Sequence, residues 1–285
     1  MKLERPWQAK ANHSRHSRVK FSRFATGKLE AMSLPFGPGV TLEPNPVLPW
    51  QSLANLEFLV LVGVTGVGKT TTLEALQSVG LELSLLPDRR LVTDVVMIDA
   101  LAGHPVSDRE ERFAWTAKYR ELHPGGMAEA IGKLAVNLGL LRPPLVFDGL
   151  RGLEEVSYAA SQYAGARFIV LDAPDTVRVQ RLLGRSDAFD KMTVNTSNAS
   201  TLEQLVSIPG VELVFSRFEL EQLSNLDLPA SEVVAKCKIV VTERRNYDPI
   251  AAREYLRTLP GERVLYLDTT AHPPLEVAKR IGAWL

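Results

Sequence analysis

The chain has 285 residues, 45% of them hydrophobic and 23% charged, which is enough apolar material for a sizeable core and the composition of an ordinary globular protein. Thirty-three Lys and Arg balance thirty-three Asp and Glu, so no overall field draws the chain to nucleic acid or to a membrane surface. Cys237 is the single cysteine, which excludes an intramolecular disulfide and fits a reducing compartment.

No apolar run reaches transmembrane length, and the N-terminus lacks the apolar core of a secretory signal. We therefore expect a cytoplasmic protein, although the Arg-rich, acid-poor start shares its composition with organellar transit peptides. Residues 1–50 read as an irregular, basic arm. Pro35, Pro38, Pro44, Pro46 and Pro49, with Gly37 and Gly39, break any regular element there. Trp7, Phe21, Phe24 and Trp50 could anchor such an arm over the rest of the chain; a solvated basic tail is the alternative.

From residue 51 to 285 the pattern becomes short apolar runs alternating with helical stretches, the mark of one α/β domain. The runs are Phe58–Val62, Leu145–Phe147, Phe168–Leu171, Ile239–Val241 and Val264–Leu267, with Leu91–Ile98 readable as strand or helix. Continuous apolar runs suit strands buried on both faces, as in a parallel sheet. Helical stretches are expected at Lys69–Val79, Asp108–Leu122, Asp175–Leu183 and Pro249–Leu259. The expected fold is a three-layer, mostly parallel five-stranded sheet with helices on both faces and ligands at the carboxyl ends of the strands. Residues 187–231 are longer and more polar than a minimal lid and read as a lid insertion or partner surface.

Gly63-Val64-Thr65-Gly66-Val67-Gly68-Lys69-Thr70 matches the phosphate-binding pattern G-x-x-x-x-G-K-[ST], and it stands between an apolar strand and an amphipathic helix, as that pattern requires. Glycines let the backbone curl so that successive N–H groups point at phosphate oxygens. The helix that starts near Gly68 adds the positive end of its dipole. The expected nucleotide contacts are Gly63, Thr65, Gly66, Val67, Gly68, Lys69, Thr70 and Thr71, with Lys69 on the β- and γ-phosphates and the Thr70 hydroxyl on Mg²⁺. A second oxygen for the metal should come from a neighbouring strand end. Asp148 is the first choice and Asp94 the second, while Asp99 and Asp172 occupy similar positions; a capping or turn role is the alternative for each.

Further residues resemble a known group. Asp148-Gly149-Leu150-Arg151-Gly152, with Glu154-Glu155-Val156 after it, resembles the D-G-x-R segment of the dephospho-CoA kinase and archaeal adenylate-kinase-like group of P-loop kinases. Val170–Pro174 followed by Arg178, Arg181, Arg185 and Asp187 is similar to the strand, helix and arginine-bearing lid of those kinases. Asp108–Ile131 resembles their acceptor-covering helix pair, and Leu267–Thr270 with Pro274–Ile281 resembles their last strand and helix. The resemblance implies ATP and Mg²⁺ as cofactors, Lys69, Asp148, Arg178, Arg181 and Arg185 as catalytic residues, and Asp94, Arg120 and Arg151 as acceptor contacts. The arginines at 178, 181 and 185 stand three and four residues apart and can share one helix face; a solvated face is the other reading. Arg151 could equally form a structural salt bridge with Glu154 or Glu155. Asp88-Arg89-Arg90 reads as an acceptor contact or, more simply, a surface turn.

Met97 stands where the group carries an arginine on the acceptor phosphate, which opens the question of what the acceptor is and whether transfer is retained. The first expectation is a kinase that passes the γ-phosphate of MgATP to a nucleotide-like or other small acceptor. The second is an ATPase or nucleotide-dependent switch acting on a protein partner through the arm or the 187–231 insertion, which could also mediate self-association. Neutral net charge and the lack of a helicase-like motif series speak against nucleic acid. Thr242-Glu243-Arg244-Arg245 is not a guanine-reading N-K-x-D signal, which favours ATP over GTP.

Overall fold

The computed structural model describes residues 35–42, 46–184 and 199–285. Expectations for Trp7, Phe21, Phe24, Arg185 and the 187–198 part of the insertion therefore lie outside the described residues. In chain order the elements are β1 (Val40–Leu42), β2 (Trp50–Ser52), β3 (Phe58–Val62), α1 (Lys69–Ser78) and β4 (Ser84–Leu85). Next come α2 (Arg89–Val92), a π-helical stretch Thr93–Ile98 and α3 (Asp99–Ala102), which run on as one helix, then α4 (Arg109–Leu122), α5 (Gly126–Ile131) and β5 (Leu134–Asn137). The chain continues through β6 (Leu145–Leu150), α6 (Leu153–Gln162), β7 (Ala166–Asp172), α7 (Asp175–Leu183), α8 (Thr201–Val206), α9 (Arg217–Ser224) and α10 (Ala230–Asn246). It ends with α11 (Pro249–Leu256), β8 (Val264–Asp268) and α12 (Pro274–Trp284).

The main sheet has the order β4-β6-β3-β7-β8, with every neighbouring pair parallel. This is the expected five-stranded parallel sheet. β3 lies at its centre, so the loop that follows β3 opens where the sheet's connections diverge to either side, the usual place for a ligand crevice. Both faces of the sheet are covered. Phe58, Val60, Val62, Phe147, Phe168 and Val170 face one core with α5, α6 and α11. Leu59, Leu61, Val146, Ile169 and Leu171 face the other with α1 and α12. Burial on two sides is why these strands read as unbroken apolar runs.

Two expectations about the sheet are corrected. Ile239–Val241 is not a strand; it lies inside α10, a 17-residue helix. Buried Val233, Val234, Cys237, Val240 and Val241 recur at helical spacing, and together with Val179 and Leu182 of α7 and residues of α8 and α9 they form a third, purely helical core. The fifth strand is instead the two-residue β4, and Leu91–Ile98 is helical. Within the segment read as an irregular arm, Val40–Leu42 pairs antiparallel with β5, which also carries β2 in a small second sheet. Residues 199–231 form α8, α9 and the start of α10, a folded helical layer with two capping boxes, at Ser200 with Glu203 and at Ser216 with Glu219.

This helical layer depends on Leu182, which is fully buried. Leu182→Ala should cost about 2–5 kcal/mol, to be measured as a lower urea midpoint at unchanged m-value.

Candidate nucleotide site

The loop from Gly63 to Gly68 joins β3 to α1 and has glycines where no other residue fits. Gly63 and Gly66 have φ of 152° and 88°. A Cβ on Gly63 would sit 2.8 Å from the Leu171 carbonyl oxygen, and one on Gly66 would sit 3.0–3.1 Å from the Arg178 backbone. The loop is thus pressed against the ends of β7 and α7 as tightly as a backbone allows.

Its carbonyls are each held by a side chain. Lys69 Nζ donates to Gly63 O at 3.0 Å and Val64 O at 3.3 Å. Arg178 Nε donates to Thr65 O at 2.8 Å, Arg181 Nη1 to Gly66 O at 3.2 Å and the Thr269 hydroxyl to Val67 O at 2.8 Å. The Gly63 and Val64 carbonyls thus face the Lys69 ammonium, those of Thr65, Gly66 and Val67 face α7 and Thr269, and the Thr65 N–H goes to Glu243. The first turn of α1 adds amides that have no intrahelical acceptor. The loop and the first turn of α1 form the candidate phosphate cradle; Thr70 and Thr71 stand exposed on that turn.

Charged side chains converge on this cradle. Burial lowers the Lys69 ammonium to about 8, with Asp148 pulling it back up. Asp148 is in β6, its Oδ1 3.9 Å from Lys69 Nζ. Burial pushes the Asp148 carboxyl above its ordinary value, while Lys69 and Arg151 oppose the rise. Asp148 Oδ1 is buried without a hydrogen-bond partner. A buried, unpartnered carboxylate oxygen beside a phosphate loop fits a divalent cation, and the exposed Thr70 hydroxyl is the second oxygen of the type Mg²⁺ takes. That ion needs only one or two protein oxygens when phosphates complete its shell. Among the described residues, no group of three or more His, Cys, Asp and Glu side chains converges as a dedicated metal cage.

The expected arginines are placed in three different ways. Arg178 is 1% exposed and locked between Thr65 O, Asp175 and Glu243. Arg181, one helical step on, also turns to the loop, bonding Gly66 O and Thr269. Arg151 pairs with Glu243 at 2.8 Å, and only its backbone N–H goes to Glu155; its Nε is buried and unpartnered. Asp94 lies away from the cradle and pairs with Arg112.

Sequence reasoning passed over Glu243. From the last turn of α10 its carboxylate accepts from the Thr65 N–H at 3.0 Å, the Thr65 hydroxyl at 2.6 Å, Arg151 at 2.8 Å and Arg178 at 2.6 Å. Burial pushes this carboxyl up, but Arg151, Arg178 and Thr65 outweigh it and hold the group below its ordinary value. Its signal was the Glu243-Arg244-Arg245 cluster three residues past Val240, which becomes meaningful only once that stretch is helical. Arg89 was also undervalued. Asp88 caps α2, so this is no plain surface turn, and Arg89 makes a bidentate pair with Glu155 at 2.9 and 2.6 Å.

Three cavities surround these residues. One of about 720 Å³ lies beside Gly68, lined by Thr71, Arg181, Thr269, His272 and Pro273. One of about 270 Å³ lies at the strand ends against Gly63, Val67, Arg151, Asp172 and Arg178. A third, of about 210 Å³, is lined by Arg89, Met97, Arg112, Phe113, Arg120 and Tyr247. Arg89 ties that third cavity to the cradle by donating to Gly149 O, next to Asp148, and Tyr247 stacks under both Arg89 and Arg151.

A central parallel sheet, a glycine loop between its middle strand and a helix, and a lysine folded back onto that loop together define a P-loop nucleotide-binding protein. Residues 59–205, just over half of the chain, match the model of the AAA domain, and the chain belongs to that family. No curated protein matches its sequence. Among solved structures it is similar to a sugar kinase from Janibacter sp. HTCC2649, at 16% identity over 80% of this chain and 93% of that one, with a TM-score of 0.35. It is also similar to TT1252 from Thermus thermophilus, at 18% identity over 80% of this chain and 96% of that one, with a TM-score of 0.36. No described helix is long and apolar enough to cross a membrane.

Two outcomes follow from this geometry. Because free Lys69 titrates near 8 and bound phosphate favours its charged form, MgATP binding should take up about one proton per site at pH 9 and almost none from this group at pH 6.5. Calorimetry in buffers of different ionisation enthalpy reads this, and Lys69→Met should abolish the uptake. Arg178→Met should lower unfolding stability by up to about 3 kcal/mol, read as a lower urea midpoint, because it removes one of the two guanidinium partners of the buried Glu243 carboxylate and leaves the other in place.

Proposed function

We propose that the protein is a MgATP-dependent phosphotransferase acting on a small acceptor. The observation that carries this reading is the position of Asp148-Gly149. On one side Asp148 faces Lys69 of the phosphate cradle; on the other, Gly149 O holds Arg89 at the wall of a separate polar cavity. A donor phosphate and an acceptor group would meet across that strand end.

In this reading the triphosphate lies along the amides of Gly66 to Thr71, and base and ribose occupy the cavity beside Gly68. Lys69 holds the β- and γ-phosphates. Mg²⁺, held by Thr70 and Asp148, would neutralise charge on the transferred group. Asp148 has a second use as the acceptor of the substrate hydroxyl proton, since burial has already raised its affinity for one. Arg151 and Arg181 border the path of the γ-phosphate, and positive charge there favours the transition state over water attack. Arg120 and Arg89 would orient the acceptor.

The second cavity also bears on acceptor class. At about 210 Å³ it is small, and two of its three arginines are already offset, Arg89 by Glu155 and Arg112 by Asp94. Met97 lines it where an acceptor-phosphate arginine was expected. A small hydroxylated molecule with little negative charge suits it better than a nucleoside monophosphate. The protein would work in the cytoplasm without a nucleic-acid partner.

The test is ADP release from MgATP with separate panels of sugars, nucleosides, nucleoside monophosphates and dephospho-CoA, with Lys69→Ala as the control. Release that depends on one small hydroxylated class, and is lost in Lys69→Ala, is expected. Acceptor-independent hydrolysis that needs Lys69 would replace the kinase with an ATPase or switch.

A further inference from the structure

Glu243 is buried in the cradle, and its surroundings resemble those of a phosphate more than those of a structural carboxylate. Its two oxygens take a backbone N–H and a hydroxyl from the phosphate loop, both at Thr65, and one guanidinium each from Arg151 and Arg178. These are the donor types that recognise a phosphoryl group. The carboxylate also lies within electrostatic reach of Lys69, the residue that holds the β- and γ-phosphates.

Like charges cannot share this space without cost. An incoming γ-phosphate brings negative charge to donors already satisfied by Glu243, in a region where water screens little. A diphosphate lacks that group and meets no such conflict. Glu243 also connects the loop to a distant part of the molecule. It sits in the last turn of α10, whose Val233, Val240 and Val241 pack into the helical core with α7, α8 and α9. Whatever moves the carboxylate pulls on that layer.

We propose that Glu243 is an internal stand-in for the γ-phosphate, which a nucleoside triphosphate must displace from Thr65, Arg151 and Arg178 and a diphosphate need not. Displacement hands both arginines to the nucleotide and releases the C-terminal turn of α10, so Glu243 sets the discrimination between triphosphate and diphosphate. The inference rests on nucleotide binding at the P-loop but not on transfer to an acceptor.

The test is binding of the Mg²⁺ complexes of ADP and of the β,γ-imido analogue of ATP to the full chain and to Glu243→Gln, which keeps the shape and removes the charge. The ratio of analogue affinity to ADP affinity should rise about tenfold in the variant. A carboxylate that serves only as a structural tie would change both affinities alike, and an unchanged or lower ratio overturns the proposal. If Glu243→Gln does not fold, the wild-type protein decides the matter: trypsin should cut at Arg244 and Arg245 faster with the analogue than with ADP. Equal rates would overturn the proposal. Failure of both nucleotides to bind would overturn it together with the nucleotide-site assignment, whereas a failed acceptor screen leaves the binding result untouched.

Discussion

Five charged side chains, from β6, the loop after it, α1, α7 and α10, are packed into one poorly hydrated space at the carboxyl end of the central sheet. Lys69, Arg151 and Arg178 bring positive charge there, and Asp148 and Glu243 bring negative charge. Charges withdrawn from water are tolerable only when paired with good geometry, so each of these groups fixes the position of the others. Asp175, bonded to Arg178, evens the charges, and the cluster stands against the glycine loop between β3 and α1. The functional reading follows from this convergence on the loop more than from any single residue.

The fold exists to hold this cluster still. A parallel sheet buried on both faces gives β3 and β6 rigid ends, and these place the loop and Asp148 side by side. Helix α7 braces the loop from outside through Arg178 and Arg181, each bonded to a loop carbonyl. Helix α10 reaches in from the helical layer with Glu243. Helix α7 and the helical layer share one core, distinct from the two that cover the faces of the sheet, so the brace on the loop and the helix that carries Glu243 are packed as one unit.

Much of this was legible in the sequence because it depends on local pattern. The glycine spacing at 63, 66 and 68, the apolar run before it and the helix after it are consequences of adjacent residues. Asp148 was readable as a strand end. The rest depends on contacts distant in sequence. Ile239–Val241 looks like a buried strand because three β-branched residues in a row carry no period; only Val233 and Cys237, further back, reveal the helix. Ser84–Leu85 is too short to announce itself and is a strand only because β6 lies next to it. Glu243 lies 178 residues from Thr65, and no spacing rule links the two. Arg178 was identified as important, but its pairing with Glu243 and its near-complete burial could be seen only in three dimensions.

In the proposed reading the Gly63–Thr71 backbone itself grips phosphate. Amide hydrogen exchange of the full chain with and without MgATP tests it most directly. The account predicts strong slowing confined to the peptides that cover this loop and the first turn of α1. Unchanged exchange there under conditions in which MgATP is shown to bind would place the nucleotide elsewhere and contradict the account.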